Sequence, residues 1–231
     1  MSLLTIAQSI LKETKNSSIP TTIIGNLEDS AKQILEVLTV SITELSRSYD
    51  WQELQKEYTF NSVASTEGYN LPSDFDRFIN ETFWNQTNDE KVIGPINSQE
   101  WRILKIDNTT NIYDYFRIRA GQTLLFPIPS SIESFIYEYV SNLIVLSAGG
   151  TGQTTWQADT DVPAIDAHIV RLDATWRWLK NQGRQYAEEK KVADAAVAER
   201  ARVNGARRII SHYDQTNYDI KIGYPTLIVG P

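Results

Sequence analysis

Apolar residues recur with a helical period at both ends of the chain but not in its middle, and this change of period constrains the fold most. The segment at about residues 28–47 has apolar positions spaced by three and four: Ala31, Ile34, Leu35, Leu38, Ile42 and Leu45. A segment near the other end has a 4-3-4-3 spacing: Ile165, Ile169, Leu172, Trp176 and Leu179. Such stripes pack along other helices, so we expect both ends to share one bundle.

Each of these segments has a second predicted helix beside it. The first helix of the chain is predicted from the apolar positions Leu3, Ile6, Ala7 and Ile10. The last, at about residues 184–204, is alanine-rich and places one row of side chains inward: Tyr186, Ala193, Val197 and Ala201. Residues 1–49 and 147–210 are therefore predicted as two helical pairs that complete one bundle. The glycine-rich stretch Ser147–Thr155 is interpreted as a flexible connector that leads into the second pair.

Residues 50–146 have β character. Short runs of aromatic and β-branched residues alternate with Gly, Pro and Asn-Asp breaks, which predicts roughly six short strands. Two short helices are expected within them, over "SDFDRFI" with Ser73 as its cap and over "SQEWRILKI" with Ser98 as its cap. The predicted fold is α+β, a helical bundle with a β-rich insertion that forms a small sheet or barrel, followed by an extended C-terminal tail.

Composition excludes several classes of function. The 231 residues include no cysteine, so disulfides and thiolate metal sites are excluded. The net charge of -7 argues against a surface that wraps nucleic acid, although an acidic wall could let DNA slide past. The one basic cluster is expected to be solvated or to meet an acidic protein: Arg200, Arg202, Arg207 and Arg208. No apolar run approaches the ~20 residues of a membrane helix, and no signal peptide is visible, so a soluble intracellular product is expected.

The segment "TWQADTDVPAID" contains the most acidic candidate site. Asp159 and Asp161 form a D-x-D pair with Asp166 close behind, which could hold a divalent cation in a metal-dependent enzyme. The favoured interpretation is that Asp161 caps a helix that has Pro163 in its first turn, because both residue types are typical of helix starts. Asp159, which the cap does not require, could pair with an arginine such as Arg177.

Other chemistry finds little support. His168 and His212 lack a second ligand at zinc spacing, and no nucleophile elbow or phosphate loop is present. We therefore predict no catalytic residue, no metal and no cofactor. The tryptophans are expected in the core, with a carbohydrate-binding site as the alternative: Trp51, Trp84, Trp101, Trp156, Trp176 and Trp178.

Residues 211–231 are predicted to form an extended tail without helical period. Its apolar end comprises Tyr224, Pro225, Leu227, Ile228 and Val229. An apolar, proline-stiffened segment is poorly suited to a free surface. It could lie along another protein through main-chain hydrogen bonds, or it could add a strand to its own β region.

The order of several motifs is similar to that of a known family. The helical start is followed by "YDWQEL", "GYNLPSDFDRFINETFW", "IGPINSQEWR", "YFRIRAGQTLLFPIP", "FIYEYVSN" and "TWQADTD…ATWRWLKNQGRQYAEE". Over about residues 3–203 the chain resembles the head-to-tail adaptor family (connector, or tail tubular protein A-like) of short-tailed bacteriophages.

The resemblance implies a structural virion protein rather than an enzyme. It implies a twelve-fold ring beneath the portal protein and above the tail nozzle, assembled in the host cytoplasm, with DNA passing through its channel without sequence-specific binding. It also implies that the C-terminal segment, here Tyr224–Val229, locks the ring onto the portal.

Overall fold

Five α-helices and eleven short strands make up the computed structural model, which describes residues 1–16, 18–107 and 113–205. The helices are α1 (Leu3–Glu13), α2 (Asp29–Ser48), α3 (Ser98–Asp107), α4 (Ala167–Asn181) and α5 (Ala187–Asn204). A single 3-10 turn, Gln52–Leu54, joins α2 to the strands. The α+β fold class predicted from the sequence is confirmed. No helix in these three ranges is long and apolar enough to span a membrane.

The bundle consists of α1, α2, α4 and α5, and α4 packs against the other three. Apolar residues of α2 are buried as predicted, among them Ala31, Ile34, Leu38 and Ile42. On α4 the buried surface is wider than the predicted stripe, because three helices cover it. The buried positions of α4 are Ile169, Val170, Asp173, Ala174, Thr175, Trp178 and Leu179. Leu172 and Trp176, which the stripe places inward, are only partly buried.

The helix α5 attaches to the bundle through small residues. Only Ala193 and Ala201 are buried along its length, while Ala196 and Val197 pack against the core from partly buried positions. The helix ends at Gly205, whose left-handed conformation (φ 70°) suits a residue without a Cβ atom.

The strands form three small antiparallel sheets. In chain order they are β1 (Gln55–Asn61), β2 (Gly68–Asn70), β3 (Phe75–Phe78), β4 (Trp84–Asn85), β5 (Glu90–Lys91), β6 (Tyr115–Arg119), β7 (Gln122–Phe126), β8 (Ser134–Ser141), β9 (Val145–Leu146), β10 (Gly152–Gln153) and β11 (Val162–Pro163). One sheet has the order β1-β8-β4-β5, with β3 beside β4 on the same edge of β8. The second has the order β2-β7-β6, and the third has the order β10-β9-β11.

An aromatic core holds the first two sheets together. Its fully buried members are Phe83, Val92, Phe116, Leu125, Phe135, Tyr137 and Tyr139. The ring centroids of Phe83 and Phe116 are 4.7 Å apart at an edge-on angle, which is a favourable geometry for aromatic pairs. This cluster is separate from the bundle core, so the two halves of the molecule have distinct hydrophobic cores.

Three local predictions were wrong. The stretch "SDFDRFI" forms β3 rather than a helix, because it pairs with β8 and places Phe75 and Phe78 against the aromatic core. The predicted helix at Ser98 is present, but Asn97 caps it by accepting the N–H groups of Gln99 and Glu100. The predicted connector 147–155 is an ordered hairpin, since β10 pairs with β9.

Candidate functional site

The acidic segment Gln157–Asp161, here called the DTD turn, fastens the N-terminal helical pair to the C-terminal pair. The carboxylate of Asp159 accepts the backbone N–H of Ile23 at 3.0 Å and that of Ile24 at 2.8 Å, in the loop between α1 and α2. The backbone carbonyls of Asp159 and Asp161 accept the N–H groups of Leu4 and Leu3. These are free donors of the first turn of α1, so the DTD turn supplies the partners that a helix start lacks.

Asp161 stabilises the turn itself. Its carboxylate accepts the backbone N–H of Gln157 at 2.7 Å and that of Ala158 at 2.8 Å, and the residue is 1% exposed. A buried carboxylate needs such donors, because an unpaired charge in the interior is costly.

The prediction that Asp161 and Pro163 start the helix is wrong. The helix α4 begins at Ala167 and its N-cap is Asp166, which accepts the N–H of His168 at 2.8 Å. Pro163 lies in β11, where it pairs with Val145 of β9. This short strand intervenes between the turn and the helix, so the cap falls on the next aspartate along the chain.

The three aspartates face different sets of donors and do not converge. Asp159 faces the α1–α2 loop, Asp161 its own turn and Asp166 the start of α4. In the described ranges, no group of three or more His, Asp or Glu side chains could hold a metal ion. The geometry of this segment therefore supplies no ligand set for the metal-dependent enzyme alternative.

Arg77 of β3 links the β region to the bundle. Its guanidinium donates to the carbonyls of Ser46 at 3.1 Å and Tyr49 at 2.8 Å, at the C-terminal end of α2. It also pairs with Asp50 at 2.9 Å and Asp76 at 2.6 Å. A cation is favourable at a helix C-terminus, where carbonyl groups lack intrahelical partners. The sequence does not single out Arg77, because the residue order of its segment is compatible with a helix and no local pattern names the end of α2 as its partner.

Asp173 is the polar centre of the contact between α2 and α4. It accepts the hydroxyl of Ser41 at 2.6 Å, the indole N–H of Trp176 at 2.8 Å and the guanidinium of Arg177 at 2.7 Å. Arg177 therefore pairs with Asp173, and the pairing with Asp159 that the sequence suggested is wrong. The sequence signal for Asp173 was its position four residues after Ile169, which places its side chain on the buried face of the helix.

A hydrogen-bond network around a buried asparagine connects the first two sheets. The side-chain amide of Asn85, which is fully buried, donates to Asp114 at 3.0 Å and to Glu133 at 2.7 Å. Burial, together with the nearby charges of Glu133 and Glu90, raises the pKa of Asp114 above its ordinary value, although the bond from Asn85 acts in the opposite direction. One neutral amide thus holds two carboxylates at the boundary of the sheets.

Most tryptophans belong to the cores, as expected. Trp51, Trp101, Trp156 and Trp178 are buried. Trp176 is partly buried, with the guanidinium of Arg177 at 4.6 Å from its ring, and Trp84 is 44% exposed. The described part of the chain therefore presents one well-exposed indole rather than the paired platforms of a carbohydrate site.

The predicted basic cluster is neutralised where it is described. Arg200 pairs with Glu53 at 3.0 Å and with Asp166 at 3.5 Å, and Arg202 pairs with Glu199 at 2.7 Å. Arg207 and Arg208 lie outside the described residues, as does His212. The predicted docking residues Tyr224, Pro225, Leu227, Ile228 and Val229 also lie outside them.

The chain matches the sequence model of a known protein family. The sequence model of the SU10 adaptor protein family matches residues 1–217, which include both helical pairs, the β region and the DTD turn. The match ends before the predicted docking segment. Comparison with curated proteins finds no match. Because the matched range covers nearly the whole chain, the protein belongs to the SU10 adaptor protein family and is a phage structural adaptor protein of the head–tail adaptor type.

Proposed function

We propose that this chain is the head-to-tail adaptor of a short-tailed phage. In this proposal it forms a ring beneath the portal protein, joins the capsid vertex to the tail nozzle and continues the DNA channel. The observation that carries the proposal is the family match over residues 1–217. Residues 1–49 and 147–210 form the bundle, residues 50–146 the insertion and residues 211–231 the docking tail.

The ring is proposed to contain twelve copies, assembled in the host cytoplasm and retained in the virion. A closed ring of identical subunits uses heterologous contacts, in which two different surfaces meet around the axis. Twelve copies that each bind the portal weakly would together bind it with high avidity.

The docking element is proposed to be the apolar end of the tail, comprising Tyr224, Pro225, Leu227, Ile228 and Val229. Extended segments of this composition bind partners through main-chain hydrogen bonds and alternate side chains. The family match ends at residue 217, so this assignment rests on the residues themselves.

The distribution of charge supports a channel that does not hold DNA. Residues 50–146 contain 14 acidic and seven basic side chains, an excess equal to the net charge of -7 of the whole chain. Acidic surfaces repel the phosphate groups of DNA. They also lack the Lys and Arg side chains that would neutralise these phosphates and release the counterions of the DNA. An insertion with this charge suits a wall that DNA passes without sequence-specific contact.

The packing supports a subunit that keeps its shape under load. Arg77 fixes the β region to the end of α2, and the DTD turn fixes the two helical pairs to each other. A connector between a capsid and a tail has to transmit force between its two faces, and both joints are cross-links between distant parts of the chain.

The test is assembly on the portal. Full chain and a variant lacking residues 224–231 are mixed with portal protein, and the complexes are separated by density gradient and weighed by native mass spectrometry. We expect the full chain to form a ring on the portal and the truncated chain to remain unbound, with an unchanged circular dichroism spectrum. A chain with Thr226→Ala, a change within the same segment that keeps its apolar residues, is the matched control.

Two results would contradict the proposal. Equal co-assembly of the truncated chain would refute the docking role of residues 224–231. Failure of the full chain to bind portal protein at all, while it binds no tail protein either, would refute the adaptor position itself.

A further inference from the structure

The outer edge of β1 has no strand partner in the described part of the chain. β1 pairs with β8 over its whole length, from Gln55 opposite Val140 to Asn61 opposite Ser134, and it stands at the end of its sheet. An open edge of this length exposes backbone donors and acceptors, and proteins normally cover or blunt such edges.

The hydrogen-bond pattern between β1 and β8 shows which backbone groups of β1 face away from β8. Ser62 donates its backbone N–H to the carbonyl of Glu133 on the β8 side. Because antiparallel strands exchange hydrogen bonds at every second residue, the N–H and C=O groups of Glu57, Thr59 and Asn61 point away from β8.

Burial along β1 indicates missing cover on the same side. Tyr58 and Phe60 are only partly buried, whereas their cross-strand partners Tyr137 and Phe135 are each 1% exposed. The aromatic core is thus complete at β8 and incomplete at β1. A further strand beyond β1 would supply side chains at that position.

The chain leaves α5 beside the start of β1. The side-chain oxygen of Asn204 accepts the backbone N–H of Gln52 at 3.1 Å, and its amide donates to Glu53 at 2.5 Å. β1 begins shortly afterwards, at Gln55. Residues 206–217 span up to ~40 Å when extended, and β1 is ~23 Å long, so residue 218 can reach either end of the edge.

The sequence that follows has the pattern of an amphipathic strand. Tyr218, Ile220 and Ile222 alternate with Asp219 and Lys221, and Gly223 ends the alternation. Placed beside β1, the three apolar residues would cover Tyr58 and Phe60. The polar residues would then share the solvent face with Glu57 and Thr59, where Lys221 complements Glu57.

We propose that residues 218–222 add as a strand to the outer edge of β1 of their own chain. The pairing is intramolecular, and it does not depend on the docking function of residues 224–229. It assigns a role in the fold to the part of the tail that precedes the docking segment, and it fixes where that segment begins.

Disulfide trapping tests the pairing, since the natural chain has no cysteine. Glu57→Cys or Thr59→Cys is combined with Asp219→Cys or Lys221→Cys in the full chain. Side chains opposite each other on neighbouring strands lie within disulfide range. We expect one of the four pairs to close within a single chain about tenfold faster than the control pair Thr59→Cys with Thr226→Cys.

The trapping has two results that would overturn the proposal. Disulfides that join two chains would assign the edge to a second copy. Closure at equal rates for the four test pairs and the control would show that residues 218–222 have no fixed place at β1. Intact mass and non-reducing gels distinguish these results.

Hydrogen exchange provides a measurement without cysteines. Replacing both Ile220 and Lys221 with proline removes a backbone N–H that would face β1 whether the added strand runs parallel or antiparallel to it, and Leu227→Pro with Ile228→Pro is the matched change in the docking segment. We expect the backbone N–H of Thr59 to exchange about tenfold faster in the first variant and at the unchanged rate in the second. Equal exchange in both variants would overturn the proposal.

Discussion

Replacing Asp159 with alanine tests the claim that the DTD turn fastens the two helical pairs. Asp159 accepts the backbone N–H groups of Ile23 and Ile24, and Ile23 is 1% exposed. Hydrogen bonds to a charged group contribute about 1.5–3 kcal/mol each, and a buried donor left unpaired adds its desolvation cost. Because Asp159 is itself half-buried, solvent screens part of this contribution. We expect the variant to lose about 2–4 kcal/mol of unfolding free energy.

The assay is equilibrium unfolding in urea followed by tryptophan fluorescence, with thermal melts beside it. A loss of 3 kcal/mol lowers the melting temperature of a chain of this size by roughly 6–12 °C. In hydrogen exchange, the backbone N–H groups of Ile23 and Ile24 should show the largest increase in exchange rate. Asp159→Asn keeps one carbonyl oxygen as acceptor and should lose about half as much.

The control is Asp194→Ala, which removes the same charge from an exposed position on α5. Surface changes of this kind are usually within about 0.5 kcal/mol of the natural protein. If Asp159→Ala and Asp194→Ala unfold at the same urea concentration, the turn does not fasten the bundle, and the reasoning from its hydrogen bonds is wrong.

Three further predictions concern the β region. Arg77→Met leaves carbonyls at the end of α2 without their donor, so we expect the free energy of unfolding in urea to fall by about 2–4 kcal/mol. An unchanged urea midpoint would refute the claim that Arg77 links the β region to α2. The pKa of Asp114 is raised above its ordinary 3.8 in the folded state, so its carboxylate lowers stability as pH rises through that folded pKa. The Asp114→Asn variant should therefore have a higher free energy of unfolding than the natural chain at pH 7, and the difference should be smaller at pH 4. An equal difference at both pH values would contradict this prediction. Gly94 has φ 155° and a Cβ atom there would collide with the carbonyl of Phe116, so Gly94→Ala should cost more than ~2 kcal/mol in thermal melts, and a neutral result would refute the clash.

Local patterns were sufficient to predict the long helices. The helix predicted over residues 28–47 spans Asp29–Ser48, because its apolar period and the polar opposite face are encoded within the segment itself. The same holds for the α+β class, since the change from a helical period to short β-type runs is visible without any tertiary contact.

Short segments depended on partners far along the chain. The stretch at Phe75–Phe78 has a residue order compatible with a helix, yet it is a strand because β8 supplies its hydrogen bonds and the aromatic core accepts its side chains. Asn85 and Arg77 act at joints between elements that are distant in sequence, so no local pattern could name their partners.

The acidic segment shows where the boundary between sequence and tertiary structure lies. The sequence by itself determined that its aspartates would favour backbone N–H groups at a helix start, and Asp166 does cap α4. Only the tertiary structure decided that Asp159 holds a loop 136 residues away and that Asp161 holds its own turn. The physical reason is that a carboxylate accepts hydrogen bonds from the backbone N–H groups that lie within about 3 Å of it. The packing of α1 and α4 determines which N–H groups lie there.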